Sequence, residues 1–406
     1  MKDLEIVRDV AKRYAERAHD PKNDKKISLW KQLNSVKRIR PLVTIDQLPW
    51  EEFDDHPAMQ VQCREPFYRI VEYDLRKKIF QDVYFACDRV LENRFYYPGE
   101  IVGFSYGITS HESETRDLIY EKDKSKTFTD QIPEEKDLDK IRMVPIVDPM
   151  PMEQKRNLYG EIFEGILPLE QQGIDLSFQL WDFISFARGV ENCLYDMIDR
   201  PEFLHKILKK YSDVFLQIID CTEQHGLIWE HQPLVHCTGA YTEDLPSLGG
   251  KSAKAAWTIA MSQIMSEVSP AMHEEFELEY LMPIFRRFGA VYYGCCEPLH
   301  LKTEMIRKYP NVRKVSMSPW ADKRIGAEKL GSDYVMSIKP NPAFLAFEHF
   351  QKENAIHEIV QALDACRDNK TPCEIVLKDL TTVNGDLNRL CEWSKAVMEL
   401  VQEYEP

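Results

Sequence analysis

The chain has 406 residues, of which 44% are hydrophobic and 29% charged, a composition unlike that of disordered, collagen-like or coiled-coil proteins. Sixty-seven acidic against 52 basic residues give a formal net charge of −15, which repels nucleic acid and anionic lipid, so we expect a small molecule or a complementary protein as partner. No apolar run reaches the ~18–20 residues that span a bilayer, and the charged N-terminus is unlike a signal peptide. We therefore expect a cytoplasmic protein without membrane contact, whose ten cysteines are mostly buried thiols.

The first predicted element is an amphipathic helix over residues 1–19, with apolar residues at three-to-four spacing. Beyond it, short β-rich runs alternate with long helical patterns, which is typical of parallel strands joined by helical crossovers. Among the helices, one is predicted to start at Pro201, with Asp199 and Glu202 spaced as a capping box, and another at Ser269. Eight strands are predicted, at residues 41–46, 100–105, 174–179, 233–237, 290–295, 312–317, 333–338 and 373–378.

Eight strand–helix units predict an α/β fold, the (β/α)8 or TIM barrel, in which functional residues lie at the carboxyl ends of the strands and in the loops that follow them. Residues 1–40 are predicted to form an N-terminal helical extension, and residues 41–406 the barrel itself. The stretch 107–149 is rich in Glu, Asp and Lys and is predicted to be an insertion after the second strand, above the barrel mouth.

The ends of the fourth and fifth predicted strands carry residues that commonly bind zinc. His236 and Cys237 end the fourth strand, and Cys295, Cys296 and Glu297 end the fifth. These ends would be neighbours in a barrel, and a catalytic zinc needs only three ligands of the His, Cys or carboxylate type. Because neighbouring residues on a strand point to opposite faces, the preferred ligands are His236, Cys296 and Glu297. The alternates are Cys237 and Cys295. A competing interpretation is that the cysteines fill a tight barrel and His236 hydrogen-bonds a backbone carbonyl.

Polar and aromatic residues at the next two strand ends are candidates for substrate binding. Trp320 and Asp322 follow the sixth strand, and Lys339 and Asn341 follow the seventh. An aromatic face with a few hydrogen-bonding groups is the usual make-up of a small-molecule pocket. Ordinary loop roles compete with this interpretation, since Asp322 can cap the following helix and Lys339 can be solvated.

Three residues are candidates for proton transfer or for contact with a leaving group. Tyr241 and Tyr292 lie beside the strand ends that carry the metal candidates, and Glu277 follows His273 by four residues on the same side of a predicted helix. A His–Glu pair at this spacing can act as an acid–base relay or be a solvated surface contact. Phosphate-binding loops of the Walker type and the G-x-G-x-x-G motif are absent, which argues against nucleotide-driven chemistry.

Four short stretches form a recognisable series: Arg-Gly-Val-Glu at residues 188–191, Asp-Arg-Pro-Glu at 199–202, the helix start at 269–270, and the strand end at 295–296. With these motifs the chain resembles the uroporphyrinogen decarboxylase superfamily, and specifically its corrinoid-dependent methyltransferase branch. In this comparison Cys296 aligns with the Cys of the family's zinc-binding His-x-Cys. The likeness extends over about residues 40–400 and implies the same eight-stranded barrel.

The sequence departs from that family at the substrate and metal positions. Acids within residues 46–52 follow the first strand, where uroporphyrinogen decarboxylases hold a polycarboxylate with arginines, so porphyrinogen decarboxylation is not expected. In the methyltransferase branch the His-x-Cys is joined by a further Cys after the last strand. Here Gly294 takes the place of that His, and residues 378–381 at the last strand end read Lys-Asp-Leu-Thr. His236, Cys237 and Glu297 are the residues that can replace the two missing ligands.

The resemblance implies a methyltransferase that passes a methyl group from a small methylated donor, such as an aryl methyl ether or a methylamine-like compound, to a corrinoid protein. Zinc acting as a Lewis acid, or a Tyr or Glu proton donor, would stabilise the leaving oxygen, and the barrel mouth would dock the corrinoid protein. Two alternatives stay open. One is a metal-free decarboxylase of a small carboxylic acid, with Lys339 or Arg188 as the carboxylate anchor, and the other is a non-catalytic barrel that binds a ligand or corrinoid. The oligomeric state stays open too, a homodimer included.

Overall fold

The computed structural model describes residues 2–108, 112–115 and 125–405, and for residues 112–115 and 125–127 it describes the backbone alone. Part of the predicted insertion, residues 109–111 and 116–124, lies outside the described residues. The helices are α1 (Asp3–Ala18), α2 (Lys22–Asn34), α3 (Pro66–Tyr84), α4 (Met152–Phe163), α5 (Leu180–Arg188), α6 (Val190–Asp199), α7 (Pro201–Gln224), α8 (Pro270–Glu275), α9 (Leu278–Phe285), α10 (Thr303–Ile306), α11 (Lys323–Leu330), α12 (Ala343–Ala346), α13 (Lys352–Asp368) and α14 (Asn388–Gln402).

The strands form one parallel sheet and four two-stranded sheets. The parallel sheet has six strands in the order β1-β14-β13-β12-β11-β10, and the pairs β2–β7, β3–β6, β4–β5 and β8–β9 form the small sheets. The strands are β1 (Leu42–Ile45), β2 (Phe95–Tyr97), β3 (Ile101–Ser105), β4 (Glu112–Thr115), β5 (Ser125–Phe128), β6 (Val144–Val147), β7 (Leu169–Gln171), β8 (Leu234–Val235), β9 (Thr238–Gly239), β10 (Trp257–Ala260), β11 (Ala290–Tyr293), β12 (Val312–Met317), β13 (Val335–Ile338) and β14 (Cys373–Leu377).

The parallel sheet is the centre of the fold. Nearly all of its residues are buried, as expected for a parallel sheet that is covered on both faces. Its strands follow one another in chain order from β10 to β14, and the first strand of the chain pairs with the last. Further chain lies at both edges: the Asp88 amide donates to the Val43 carbonyl at 2.7 Å, and Ser177 forms a parallel bridge with Ile259. All carboxyl ends of these strands therefore lie at one edge of the sheet.

Five of the eight predicted strands are confirmed as members of the parallel sheet, namely those that correspond to β1, β11, β12, β13 and β14. Residues 174–179 contact this sheet through one parallel bridge, from Ser177 to Ile259 of β10, and Ile174 forms a parallel bridge with Ile228 outside it. The assignments of residues 100–105 and 233–237 to this sheet were wrong, because β3 and β8 each pair antiparallel with a local partner. The strand that occupies the expected fourth position is β10, which the sequence analysis did not predict.

The predicted helices form at the expected positions, but one predicted cap is absent and one predicted helix is divided in two. The N-terminal helix forms as α1, with one apolar side packed on α3 and α4. Helix α7 starts at Pro201, but its N-cap residue Arg200 makes no side-chain cap, so the predicted capping box is absent there. The helix predicted from Ser269 is two helices, α8 and α9, because the chain breaks at Phe276 and Glu277. Among the described helices, none is both long and apolar enough to cross a bilayer.

The β8–β9 hairpin packs against one face of the parallel sheet. Its two-residue loop consists of His236 and Cys237, whose backbones are both left-handed, with φ of 42° and 68°. Positive φ at both central residues is the signature of a type I′ turn, whose twist suits the tightest hairpins. Val235 and Ala240 on either side of the turn pack with Tyr292 of β11. The hairpin thus presents its tip at the level of the sheet's carboxyl ends.

Buried polar contacts and one close packing contact hold the hairpin in place. Lys314 Nζ donates to Glu374 Oε2 at 2.8 Å and to Thr238 Oγ1 at 3.2 Å. The Thr238 hydroxyl in turn donates to Glu374 Oε2 at 2.7 Å. On the other side, Trp30 of α2 packs so closely on Gly239 that a Cβ there would lie 2.5 Å from the indole ring. The hairpin is therefore fixed between the sheet and α2.

Candidate metal and thiolate site

A cluster of thiol, imidazole, carboxylate and ammonium groups lies at the carboxyl ends of β11, β13 and β14, beside the hairpin tip. Four separate segments of the chain supply it, so the fold rather than local sequence brings these groups together. Its members are His236, Cys295, Cys296, Lys339, Lys378 and Asp379.

Two thiols and a carboxylate form a potential metal-binding set. Cys295 Sγ lies 3.4 Å from Cys296 Sγ, which lies 3.6 Å from Asp379 Oδ2. All three atoms lie within 4.8 Å of one another. Zinc–sulfur and zinc–oxygen bonds of about 2.3 and 2.0–2.2 Å place tetrahedral ligand atoms about 3.5–3.8 Å apart. The Cys295–Cys296 and Cys296–Asp379 distances therefore match the spacing of zinc ligands, and the residue types suit zinc.

The two thiols have opposite acidities because they share a hydrogen bond. The Cys296 thiol donates to Cys295, and together with His236 and Lys339 this lowers the pKa of Cys295 well below its usual range. Lys378 Nζ also donates to Cys295 Sγ at 3.2 Å and pairs with Asp379 at 2.9 Å. The shared bond, together with burial, raises the pKa of Cys296. Cys295 is thus the thiol of the pair that ionises first, and Cys296 would have to lose its proton for both to bind a metal.

His236 enters the cluster from the hairpin tip. Its Nε2 lies 3.0 Å from Lys339 Nζ, and its ring centroid lies 5.1 Å from that of Tyr292. Burial, with the nearby Lys339 charge, lowers the pKa of His236 to about 4. The imidazole is therefore neutral at pH 7, the form in which histidine accepts hydrogen bonds and binds metals.

Gly294 occupies a position that is unfavourable for a residue with a side chain. Its φ is +96°, and a Cβ there would lie 2.3 Å from Leu299 Cδ1, so the leucine side chain would have to move. A His at this position would therefore strain the backbone. The imidazole nearest to the cysteines comes from His236 on another element instead.

The remaining predicted metal ligands have different surroundings. The Glu297 carboxylate is fully buried and accepts backbone N–H groups of Cys295 at 2.9 Å and Ser262 at 2.8 Å. It fixes the loop after β11 and is not among the grouped ligand atoms. Cys237 is half-buried at the hairpin tip, and burial raises its pKa to about 12. Cys237 is therefore protonated at neutral pH.

The structure places the three predicted catalytic residues apart from one another. The Tyr292 hydroxyl lies beneath His236 on the hairpin side of the sheet and donates to Ser337 Oγ at 2.7 Å. Glu277 is fully buried on the opposite, helix-covered side, where it pairs with His273 at 3.2 Å and accepts from the Tyr309 hydroxyl at 3.0 Å. Tyr241 lines a separate cavity between the hairpin and α2. Of the three, Tyr292 is the one that contacts the cluster.

Among the predicted substrate residues, Lys339 belongs to the cluster and donates to the Cys295 carbonyl at 3.1 Å. Trp320 is 72% exposed after β12. Asp322 caps α11 by accepting the amides of Arg324 and Ile325, the structural role that the sequence analysis left open for it. Asn341 Oδ1 accepts the Ala343 amide at 3.0 Å and shapes the loop before α12.

Two residues of the cluster and one buried carboxyl group outside it were not among the predicted candidates. Asp379 and Lys378 follow β14, the place at which the methyltransferase branch named above has a Cys. Asp379 could have been identified from the sequence as a replacement for that Cys, because Asp is also a zinc ligand. Asp182, in the first turn of α5, accepts from Gln263 Nε2 at 3.0 Å. Burial raises its pKa to about 7, so this carboxyl can carry a proton at neutral pH.

No protein-family model and no curated protein sequence match this chain. Solved structures that resemble it include a methyltransferase from Methanosarcina mazei, with a TM-score of 0.43 and 9% sequence identity over 91% of this chain and 97% of the other. Similarity this low indicates nothing about the function of this chain.

Proposed function

We propose that the protein is a methyltransferase that moves a methyl group from a small methylated donor, an aryl methyl ether or similar compound, to a corrinoid protein, with zinc bound by Cys295, Cys296 and Asp379. The observation that carries this proposal is the grouping of these three ligand atoms within 4.8 Å at the carboxyl ends of two parallel strands. Asp379 follows the last strand, where the methyltransferase branch that the sequence resembles has its third ligand. His236 is the neutral imidazole closest at hand for a fourth position.

We further propose that the parallel sheet closes into a (β/α)8 barrel. The support lies at the two sheet edges, where Asp88 bonds to β1 and Ser177 pairs with β10. Residues 86–88 and 174–178 would then be the second and third strands, and the hairpin would fill the barrel interior. This arrangement would put the cluster at the mouth, where barrel enzymes carry their chemistry.

When bound, zinc acts as a Lewis acid that stabilises the oxygen from which the methyl group departs. Side chains of the protein stabilise the charged and polar groups around the proposed zinc site. Lys378 stabilises the Cys295 thiolate and the Asp379 carboxylate, and Lys339 fixes His236 as a hydrogen-bond acceptor. Asp182 can deliver the proton that the leaving oxygen needs, because its pKa lies near neutrality. The exposed Trp320 ring would contact the donor or the docked corrinoid protein.

Transfer to free cob(I)alamin tests this function without the partner protein. Zinc-loaded protein is mixed with cob(I)alamin and a panel of aryl methyl ethers and methylamines, and methylcobalamin is followed by absorbance. We expect turnover by the wild type and a loss of at least about 100-fold in Cys296→Ser and Asp379→Asn, since each variant removes a ligand of the Lewis acid. Cys391→Ser, which changes a half-buried thiol on α14, is the matched control and should retain activity. Turnover that Cys296→Ser and Asp379→Asn leave unchanged, or none with any donor, would refute the proposal.

A second candidate is a metal-free decarboxylase of a small carboxylic acid. It is favoured by the Lys339 and Lys378 ammonium groups, which can hold a carboxylate in the cluster. Arg188, the other anchor considered from the sequence, is engaged with Asp196 at 2.9 Å and with Asp130. Release of carbon dioxide from candidate acids by zinc-free protein would favour this reaction over methyl transfer.

A further inference from the structure

A second cavity lies away from the thiolate site, between the N-terminal helices, β1 and the β8–β9 hairpin. Its enclosed volume is about 90 Å³, below the ~300–1,000 Å³ of pockets for drug-sized molecules, so only a small ligand fits. Five aromatic side chains form much of its wall: Tyr14, Trp30, Phe95, Tyr96 and Tyr241. Aromatic faces attract organic cations as well as apolar groups.

The charged groups of the cavity wall are paired, with one exception. Lys78, Arg89 and Arg94 line the cavity, and they form ion pairs with Asp74, Asp46 and Glu170, none of which lines it. Glu92 is the carboxylate of the wall, and within the described part of the chain it forms no ion pair with a Lys or Arg side chain. The Tyr96 and Tyr241 hydroxyls approach it as hydrogen-bond donors. Glu92 is therefore the carboxyl group of the wall that no Lys or Arg side chain of the described residues contacts at ion-pair distance, although Arg94 acts on it from farther away.

Burial makes the charged form of Glu92 costly. Removal from water raises the pKa of Glu92, against the opposing effects of Tyr96, Tyr241 and the more distant Arg94. A carboxylate in such surroundings gains most from a ligand that brings a positive charge with N–H donors.

Thr44 provides an independent sign of a ligand. It is 2% exposed, it lines the cavity from β1, and its hydroxyl has no hydrogen-bond partner. Buried hydroxyls are nearly always hydrogen-bonded, so an unpaired one at a cavity wall marks a position for a polar group of a bound molecule. We propose that this cavity binds a small organic ammonium compound, with its charged nitrogen at Glu92 and its apolar part against Trp30 and Tyr14.

Binding of cyclohexylamine and of its neutral counterpart cyclohexanol to the wild-type full-length chain tests the proposal by isothermal titration calorimetry. The two probes have nearly the same shape and differ in charge. We expect the amine to bind at least tenfold more tightly than the alcohol. Because this comparison uses the wild type, it does not depend on the folding of a variant.

The variant Glu92→Gln removes the charge with little change in shape and should abolish the preference for the amine. Glu153→Gln makes the same chemical change at an exposed site on α4 and should keep that preference. Equal affinity for the two probes, no saturable binding of the amine, or tighter binding of cyclohexanecarboxylate than of cyclohexylamine would each overturn the proposal. So would an unchanged preference for the amine in Glu92→Gln.

Discussion

Three residues of the candidate site have left-handed backbones: His236, Cys237 and Asp379, with φ of 42°, 68° and 57°. In this region the Cβ of an L-residue approaches the following carbonyl oxygen, which costs about 1–2 kcal/mol for residues other than Gly, Asn and Asp. Such strain persists where surrounding contacts stabilise it, and it is common at functional sites. Here the contacts that hold the hairpin stabilise the left-handed conformations of His236 and Cys237. These conformations place the His236 imidazole in the cluster.

Substitution of Cys237 tests whether the turn is strained as described. Asparagine tolerates a left-handed backbone, whereas a β-branched residue does not. We expect Cys237→Asn to raise the free energy of unfolding by about 1–2 kcal/mol, because asparagine avoids the cost that cysteine bears in the wild type. Cys237→Val should lower it, because β-branching adds to that cost. Urea denaturation measures both. If the two variants were equally stable, the turn would not impose this backbone requirement.

At the scale of elements, the β8–β9 hairpin is the feature that most shapes the site. Its buried contact with the sheet depends on the Lys314–Glu374 ion pair, in which both side chains are fully buried. Burial lowers the pKa of Lys314, and the carboxylate beside it acts in the opposite direction. A buried pair of this kind contributes little over apolar residues of the same size, but one charge left alone is costly.

A double-mutant cycle tests this contact. Lys314→Met leaves the Glu374 carboxylate buried without its ammonium partner, and we expect the free energy of unfolding to fall by about 3–5 kcal/mol. The double variant Lys314→Met with Glu374→Leu should recover most of that loss. Lys308→Met, which breaks the exposed pair with Glu274, should cost less than about 1 kcal/mol. Additive losses in the double variant would show that the two residues do not act as a pair.

The elements also show where sequence patterns are informative. The strands β11 to β14 are buried almost throughout and rich in β-branched and other apolar residues, a composition that is visible in sequence. Residues 233–237 have the same apolar composition, but they form a hairpin because residues 236 and 237 turn the chain and 238–239 pair back on it. His and Cys are not typical turn residues, so sequence gave no sign of this turn. The four-residue strand β10 was missed, although β1, β11 and β13, which were predicted, have the same length.

At the scale of the whole molecule, the alternation of strands and helices predicted a parallel α/β fold, and the parallel sheet agrees with it. The cysteines after β11 were recognisable as metal candidates from their place at a strand end. Asp379 was not recognisable as a metal candidate, because its role as a ligand depends on how close the end of β14 comes to the end of β11. That distance is set by the packing of the whole sheet and by the loop after each strand, neither of which a sequence pattern determines.

X-ray absorption at the zinc edge tests the central claim most directly. After zinc is added and excess removed, we expect one zinc per chain, with two sulfur neighbours at about 2.3 Å and nitrogen or oxygen neighbours at about 2.0–2.2 Å. Cys296→Ser should lose one sulfur neighbour, and Cys391→Ser should lose none. Zinc well below one per chain, zinc without sulfur neighbours, or a spectrum that Cys296→Ser leaves unchanged would contradict a metal site formed by Cys295, Cys296 and Asp379.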